Sequence, residues 1–268
     1  MNINTTPNMT IELSVLGVGL LGPGMNDWAS GQALLGDSRQ WLSATTVVPP
    51  PASLPATERR RAGIGVKASV VVADQAVAQS GLDPATLATV FTSSTADTHN
   101  CHLMCEALAM EPRTVSPTRF TNSVHNAPSG YWHIAAQSRA PSTSLAALDA
   151  SWCAGLLEAA VQCQSTKQPV LLVAFDQPYP QPMHTLRPVP DVFATALLLG
   201  PPGTGRRMQL TLAADADPTV CDHAGLEALR QGNPAARALP LLQALARQGA
   251  ASLVLDAPGG PALKVDLS

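Results

Sequence analysis

The densest group of side chains that could hold a metal ion lies in a short polar segment after the first third of the chain. Its members are Asp97, His99, Cys101, His102 and Cys105. On a helix, Cys101 and Cys105 would share a face. Their spacing is not that of a standard zinc site, however, and no second pair of ligands appears elsewhere. We therefore predict a polar helix start with buried thiols, without a metal and without a cofactor.

A second segment is similar to a nucleotide-binding loop. Gly200 to Arg207 has the sequence GPPGTGRR and follows an apolar, strand-like run. A phosphate-binding loop needs a Lys for the β and γ phosphates, a Ser or Thr for Mg²⁺, and a helix N-terminus that faces the anion. Arg206 and Arg207 occupy those two positions, and strand-like MQLTL follows. The pattern therefore favours a Gly/Pro turn over a nucleotide site.

Asp149 and Cys153 lie at the start of a predicted buried helix. A helix N-terminus presents unpaired amide groups that stabilise an anion, so Asp149 is expected to cap the helix as a carboxylate. Cys153 lies one turn further on, about 6 Å along the axis, where a buried, inert thiol is the default expectation. Helical spacing and a largely uncharged surface support the helix. Its apolar pattern consists of Trp152, Leu156, Ala159, Ala160 and Cys163.

The elements that must position these residues alternate between strands and helices. Strands are predicted at Ile11 to Gly19, Thr89 to Ser93, Thr143 to Leu148, Val170 to Ala174, Phe193 to Leu199, Met208 to Ala213 and, as the last one, Ala251 to Leu255. Helices are predicted from Asn26 or Asp27 to Gly36, and at Ala68 to Gln79, Thr98 to Ala109, Pro128 to Gln137 and Pro234 to Gln248, besides the one that follows Asp149. Because the strands are continuously apolar, we predict an α/β fold whose sheet is covered on both faces.

Composition excludes several classes of function. The chain has 268 residues, of which 46% are hydrophobic and 13% charged, with a formal net charge of -3. That size fits one domain, and the charge gives no basic surface for nucleic acid. The start, Met1 to Thr10, lacks a signal-peptide profile, and no apolar run is long enough to span a membrane. The five cysteines have no regular spacing, so reduced thiols and a cytoplasmic location are expected.

Taken in order, the segments resemble the N-terminal half of the β-ketoacyl synthases, which have a thiolase-like layered fold. VLGVGLLGPGMNDWASGQALLGDS is similar to the family's first strand, its Gly-x-Gly turn and its Trp-containing helix. RRAGIGVKASVVVADQAVAQSGLDP is similar to the arginine-led helix, and VFTSSTADTH to the second strand with its small-residue loop. The match is strongest over residues 11–199, and residues 200–268 form a divergent C-terminal segment. We expect residues 1–268 to be a single domain of this type, with a mixed sheet around a buried central helix.

The most specific match is FTNSVHNAPSGYWHIAAQSRAPSTSLAALDASWCAGLLEAA, which resembles the family's Asn-x-x-Ala-Gly helix, its Gly-Pro-Ser turn, a strand and the nucleophile elbow. Aligned without gaps, Asn126, Gly130 and Pro141 keep their places. Asp149 then stands where the family has its nucleophilic Cys. The resemblance implies that this chain lacks the thiolate on which condensation depends.

The family's chemistry also requires two histidines in a C-terminal half, one of them within a His-Gly-Thr-Gly-Thr motif. Downstream of Leu172 this chain has only His184 and His223, and neither lies in such a motif. An N-terminal synthase half that lacks the nucleophilic Cys and the two histidines resembles the small chain-length-factor-type subunits of aryl-polyene and related type II fatty acid or polyketide pathways. The resemblance implies a non-condensing subunit, not an enzyme by itself, that pairs with an active β-ketoacyl-ACP synthase and meets acyl carrier protein through it.

In such a partner the strand before the nucleophile, here Ser144 to Leu148, is implied to lie at the dimer interface. Simple core packing is the alternative for Phe120, Trp152 and Leu156, and a hydrogen-bonded structural role is the alternative for His125. The candidates for an acyl tunnel or an interface are Phe120, His125, Asn126, Ser144, Leu148, Trp152 and Leu156.

Two other functions remain open from the sequence. One is a homodimeric acyl-handling or decarboxylating enzyme that uses Cys153 or Asp149, and the other is a scaffold whose tunnel is collapsed. Rapid alkylation of Cys153 or an acyl adduct on either residue would favour the enzyme.

Overall fold

The computed structural model of the protein describes residues 10–213 and 216–268. Residues 1–9, which form most of the polar start that lacks a signal-peptide profile, therefore lie outside the described residues. The helices are α1 (Trp28–Gly36), α2 (Ala56–Arg61), α3 (Ile64–Ala78), α4 (Thr98–Ala109), α5 (Pro117–Thr121), α6 (Ala127–Ala136), α7 (Ser151–Thr166), α8 (Met183–Leu186), α9 (Ala224–Gly232) and α10 (Leu239–Arg247). The strands are β1 (Thr10–Leu21), β2 (Ala88–Thr92), β3 (Ser142–Leu145), β4 (Val170–Asp176), β5 (Phe193–Gly200), β6 (Arg206–Ala213), β7 (Ala251–Leu255) and β8 (Ala262–Leu267).

The eight strands of the described residues form one mixed sheet with the order β3-β2-β4-β5-β1-β6-β8-β7. β2 lies between β3 and β4 and is parallel to both, whereas the remaining pairs are antiparallel. The predicted α/β class and the mixed sheet are confirmed. The three parallel strands end at the same edge of the sheet, so the loops that follow them converge there.

β1 is shared between two strands that lie on its opposite sides. Its second half, from Ser14 on, pairs with β5, and its first half, up to Val15, pairs with β6. The turn between β5 and β6 crosses over β1, and the amide of Gly203 donates to Ser14 Oγ over 3.1 Å. The nucleotide-loop-like segment is therefore the Gly/Pro turn that its composition predicts.

Helices cover both faces of the sheet. On one face α3 packs against β1, β4 and β5, and on the other α7 packs against β1, β2 and β4. Glycines permit this close approach, because a Cβ added to Gly19 would lie 1.9 Å from the carbonyl oxygen of Val72. Every residue of β4 is buried, and α7 is the predicted buried central helix.

The C-terminal segment differs most from the prediction. The helix predicted at Pro234 to Gln248 is a 3-10 turn, Ala235–Ala238, followed by α10. The preceding α9 was not predicted because Leu226 and Leu229 are its only buried apolar residues. β7 is not the last strand, since β8 follows with Leu263, Val265 and Leu267 buried in the alternating pattern of a half-buried strand.

The strand predicted at Thr143 to Leu148 is also shorter than expected. β3 ends at Leu145, and Leu148 has a φ of 49°, in the left-handed region that no strand residue adopts. Within the two described ranges, no helix has both the length and the apolar character needed to cross a membrane.

Candidate functional site

The candidate site lies where the three parallel strands end. β2 leads into the loop Ser93 to Ala96, β3 leads through a short turn to Asp149, and β4 ends at Asp176. Ligand sites of open α/β sheets form at such strand ends because the loops converge there. The resemblance to the synthases places the nucleophile at the same edge.

Asp149 lies in a 3-10 turn, Leu148–Ala150, that joins β3 to α7. The predicted helix-capping role is wrong, because this turn places Ala150 at the N-cap and no side chain caps the helix there. Asp149 Oδ1 instead accepts a hydrogen bond from Arg187 Nη2 over 2.7 Å. The residue that the resemblance aligns with the family's nucleophile therefore forms an ion pair.

Arg187, which follows α8, joins two of the converging loops. Its Nη2 also donates to Ser94 Oγ over 2.9 Å, so one guanidinium binds the loop after β2 and the turn after β3. The side chains of Arg187 and Asp149 remain 31% and 44% exposed. Sequence reasoning missed Arg187 because its partners are 38 and 93 positions away and no local pattern marks it.

A buried carboxylate fixes the loop that carries Ser94. Asp176 Oδ1 accepts hydrogen bonds from the hydroxyl of Ser93, the amide of Ser94, and both the amide and the hydroxyl of Thr95, over 2.7 to 3.0 Å. Burial raises the pKa of Asp176 to about 6, although the hydrogen bonds from this loop act in the opposite direction. An acidic residue at the end of a fully apolar strand is the signal that could have identified it.

His125 and Asn126 support the same loop region. His125 Nε2 lies 3.1 Å from the carbonyl oxygen of Ser93, so the hydrogen-bonded structural role considered for His125 is observed. Asn126 is the N-cap residue of α6, where its side chain makes no capping hydrogen bond. Its carbonyl oxygen accepts from the amide of Gly130 and from Ser129 Oγ.

Cys153 is not placed as a nucleophile. Its side chain is buried, and its Sγ lies 3.3 Å from the carbonyl oxygen of Asp256. Burial, assisted by the Asp256 carboxylate and opposed by Arg237, raises the pKa of Cys153 to about 12. Because the thiolate is the reactive form of cysteine, this thiol is nearly inert near neutral pH.

The remaining candidates separate into core and surface. Trp152 and Leu156 are fully buried in the core beneath the sheet, which fits the core-packing alternative. Phe120 on α5 and Leu148 beside Asp149 are 68% and 71% exposed. Ser144 is half-buried in β3. Among these residues, only Phe120, Leu148 and Ser144 are accessible to another molecule.

The segment rich in metal-ligand types forms the start of α4. Asp97 Oδ1 accepts from the amide of Asn100 and so caps the helix, and His102 pairs with Glu106 over 3.2 Å. The two thiols are exposed, not buried as predicted, because this helix lies at the surface. The described ranges contain no group of three or more side chains placed to hold a metal ion.

Comparison with known proteins supplies the family. The family model described as beta-ketoacyl synthase, N-terminal domain, matches residues 28–256. No curated protein matches the chain. Several solved structures do, although at identities below a quarter they establish the fold alone.

Three of these structures cover nearly the whole chain. A chain of the complex of a ketosynthase (ApeO) with its chain length factor (ApeC) from Xenorhabdus doucetiae has a TM-score of 0.73 and 21% identity, covering 96% of this chain and 99% of that one. AntDE:AntF, a type II acyl-carrier protein in complex with its ketosynthase bound to the hexaketide, has a TM-score of 0.73 and 13% identity, covering 97% and 99%. The ishigamide ketosynthase/chain length factor has a TM-score of 0.69 and 13% identity, covering 96% and 99%.

The family model spans the two converging loops, the Asp149 turn and the central helix α7. The first of the solved structures covers 96% of this chain. The chain therefore belongs to the family of β-ketoacyl synthase N-terminal domains and has its thiolase-like fold.

Proposed function

We propose that the chain is a non-condensing, chain-length-factor-type subunit that pairs with an active β-ketoacyl-ACP synthase as a heterodimer in the cytoplasm. Its pathway would be fatty acid, polyketide or aryl-polyene biosynthesis. The observation that carries the proposal is the ion pair between Asp149 and Arg187 at the family's nucleophile position.

The proposal follows from what condensation needs. The acyl group must be transferred to a nucleophile that is activated by its surroundings. The carboxylate of Asp149 is engaged in a charge-assisted hydrogen bond with Arg187, which leaves it a poor acyl acceptor. Cys153 is the thiol nearest in sequence to the elbow, the turn Leu148–Ala150 that joins β3 to α7. Its pKa of about 12 means that it supplies no activated thiolate there.

The surface for the partner is proposed at the β3 edge. In the described part of the chain β3 pairs on one side only, with β2. An open strand edge offers unpaired amide and carbonyl groups to a second strand. Phe120 and Leu148, both well exposed, add apolar area of the kind that protein interfaces bury. We propose Ser144, Phe120 and Leu148 as contacts of the synthase partner, with the interface strand bounded at Ser142–Leu145.

Two of the similar structures are complexes of a ketosynthase with a chain length factor, and one contains an acyl carrier protein. They support a heterodimer for this chain. Acyl carrier protein would contact it through the synthase that it loads, because Asp149 is held in an ion pair and Cys153 is buried, so neither is placed to receive an acyl group.

The first test is a tagged pull-down from the native cell, followed by native mass spectrometry of the bound material. A stoichiometric complex with a full-length ketosynthase is expected. A lone monomer or homodimer would contradict the proposal, as would condensation of malonyl and acyl carrier protein by the purified chain alone.

Variants locate the interface. Leu148→Asp and Phe120→Asp are each expected to reduce the yield of complex at least tenfold, because they place a charge in a desolvated apolar contact. Leu42→Asp is the matched control, since Leu42 is 81% exposed in the loop after α1. Equal loss of complex in all three variants would contradict the assignment of the β3 edge.

A further inference from the structure

Two exposed thiols lie side by side on α4. Cys101 and Cys105 are about one helical turn apart and both are exposed, whereas the other cysteines of the chain are buried. The helix lies at the surface, with only Thr98 and Asn100 buried. Partial desolvation, followed by the charge of the Cys105 thiol and a hydrogen bond with it, raises the pKa of Cys101. The two sulfur atoms are therefore both accessible and adjacent.

A third sulfur atom lies on the same side of the helix. Met104 follows Cys101 by three positions, so the two side chains are neighbours on the helix surface. Long helical side chains lean back over the preceding turn, and Met104 Sδ lies 3.9 Å from Asn100 Nδ2, in the turn that carries Cys101. Asn100 is fixed in turn by its hydrogen bond to the carbonyl oxygen of Arg119 over 2.9 Å. α4 thus presents two thiols and one thioether within little more than one turn.

The spacing of the two thiols suits a bridging ion better than a disulfide. Side chains four positions apart on a helix have Cβ atoms about 5 to 6 Å apart, whereas a disulfide needs about 3.5 to 4.5 Å between them. A disulfide would therefore distort α4. Two metal–sulfur bonds of about 2.3 Å each span up to about 4.6 Å, which matches a pair of thiols at hydrogen-bonding distance.

The ligand types select the ion. Thiolates and thioethers are soft ligands, which favour Cu(I), zinc and iron–sulfur clusters. A structural zinc site takes four protein ligands, and within the described ranges no three or more His, Cys, Asp or Glu side chains are grouped to hold a metal ion. Cu(I) is satisfied by two or three sulfur ligands, so it is the ion that this arrangement fits.

We propose that Cys101 and Cys105 bind one Cu(I) ion as thiolates, with the thioether of Met104 as a third ligand. Binding releases the two thiol protons to solvent and leaves the oxidation state of the ion unchanged. The site is built from α4 alone and does not depend on the partner role proposed above. It departs from the expectation of a metal-free segment, which assumed that the two thiols were buried.

The test is titration of the purified, reduced full-length chain with Cu(I) in competition with bicinchoninate, a coloured Cu(I) chelator. The chain is expected to take one equivalent of Cu(I) from the chelator, with thiolate-to-Cu(I) charge-transfer absorption in the near ultraviolet at the same stoichiometry. Affinity should rise with pH, because both thiols must lose a proton. A chain that takes no Cu(I) from the chelator would overturn the proposal.

Variants assign the ligands. Cys101→Ser and Cys105→Ser are each expected to weaken Cu(I) binding at least about tenfold, because each removes one of the two thiolates. Met104→Leu should weaken binding by a smaller factor. Met110→Leu is the matched control, since Met110 is 67% exposed and directly follows α4. Serine variants that bind Cu(I) as tightly as the wild type would refute the site, and circular dichroism checks that each variant is folded.

Zinc separates a soft-ion site from a general thiol site. Excess Zn(II) is expected to leave Cu(I) bound, because the chain does not supply the four ligands that a structural zinc ion takes. Displacement of Cu(I) by Zn(II) would contradict the choice of ion. A chain that forms the synthase complex but binds no Cu(I) would refute this site alone, and the converse result would refute only the partner role.

Discussion

Two regions of the molecule use arginine and carboxylate pairs in opposite environments. At the elbow, Asp149 and Arg187 keep about a third to a half of their side-chain surface in solvent. In the C-terminal segment, Asp256 accepts from both Arg230 and Arg237, whose side chains are only 6% and 10% exposed. The buried cluster joins α9, the 3-10 turn and the end of β7.

The difference in burial predicts different contributions of the two regions to the stability of the fold. A buried charge without its partner destabilises a fold strongly, whereas an exposed ion pair contributes little to stability. Arg230 also pairs with Glu227 over 2.7 Å, and this hydrogen bond lowers the pKa of Glu227 to about 2. The buried cluster thus holds the C-terminal segment in place, whereas the partly exposed pair of Asp149 and Arg187 is expected to contribute little to stability.

The largest expected effect comes from breaking the buried cluster. Asp256→Ala leaves Arg230 and Arg237 without a shared partner and should lower the free energy of unfolding by about 3 to 5 kcal/mol, measured by urea denaturation. Asp222→Ala, which removes the exposed partner of Arg247, should cost less than about 1 kcal/mol. Similar losses in the two variants would abolish the contrast between buried and exposed pairs.

Asp176 differs from both ion-paired regions. Its carboxylate is fully buried and accepts hydrogen bonds from hydroxyl and amide groups. A rise of its pKa from the ordinary value of 3.8 to about 6 means that the folded state binds this proton more tightly than the unfolded state. The resulting stabilisation is full below pH 3.8 and is lost as the pH rises through about 6. It corresponds to about 3 kcal/mol.

Urea denaturation of the wild type and Asp176→Asn between pH 4 and pH 7 measures this pH-dependent stabilisation. Titration of all other groups cancels when the free energies of unfolding of the two proteins are subtracted. The wild type is expected to lose up to about 3 kcal/mol relative to the variant across that range. A difference that does not depend on pH would show that the carboxylate is not protonated in the folded protein at pH 4.

Asp149→Cys tests the contrast between the elbow and the buried thiol beside it. A thiol at position 149 would lie next to the Arg187 guanidinium, where the thiolate is favoured. In a background of Cys101→Ser and Cys105→Ser, iodoacetamide at pH 8 should alkylate position 149 at least about a hundredfold faster than Cys153, because few Cys153 thiols are ionised at that pH. Peptide mass spectrometry locates the adduct, and faster alkylation of Cys153 would contradict its assigned burial.

The smallest effect is expected for the elbow pair itself. Arg187→Ala should change the free energy of unfolding by at most about 1 kcal/mol, because both side chains are partly exposed. Arg39→Ala, which breaks an exposed pair with Asp37, is the control for urea denaturation. A loss of several kcal/mol in Arg187→Ala alone would assign a structural role to this pair.

The sequence predicted the first 200 residues better than the rest for a physical reason. Continuous apolar strands bounded by Gly and Pro, such as β4 and β5, give a strong local signal. In the C-terminal segment the helices and strands are short, and ion pairs between residues distant in sequence, such as Arg237 and Asp256, help to hold them together. The single domain expected over residues 1–268 stays a prediction, and coincident unfolding transitions by two probes would check it.

The candidate site was predictable only where one segment determined it. The helix α7 and the buried state of Cys153 follow from one helical pattern. The true partner of Asp149 does not, because a 3-10 turn moves Asp149 out of the capping position and Arg187 lies 38 residues away. Such contacts depend on how loops converge, which no local spacing encodes.

The sharing of β1 between β5 and β6 has a consequence during synthesis of the chain. β1 is the first strand in the described part, yet its partners run from Ala194 to Thr211, so its hydrogen bonds close loops of nearly two hundred residues. Contacts of such long range are slow to form. β1 therefore leaves the ribosome with both edges open and stays exposed to aggregation until most of the chain has been made, so translation rate and chaperone supply should govern the yield of folded protein.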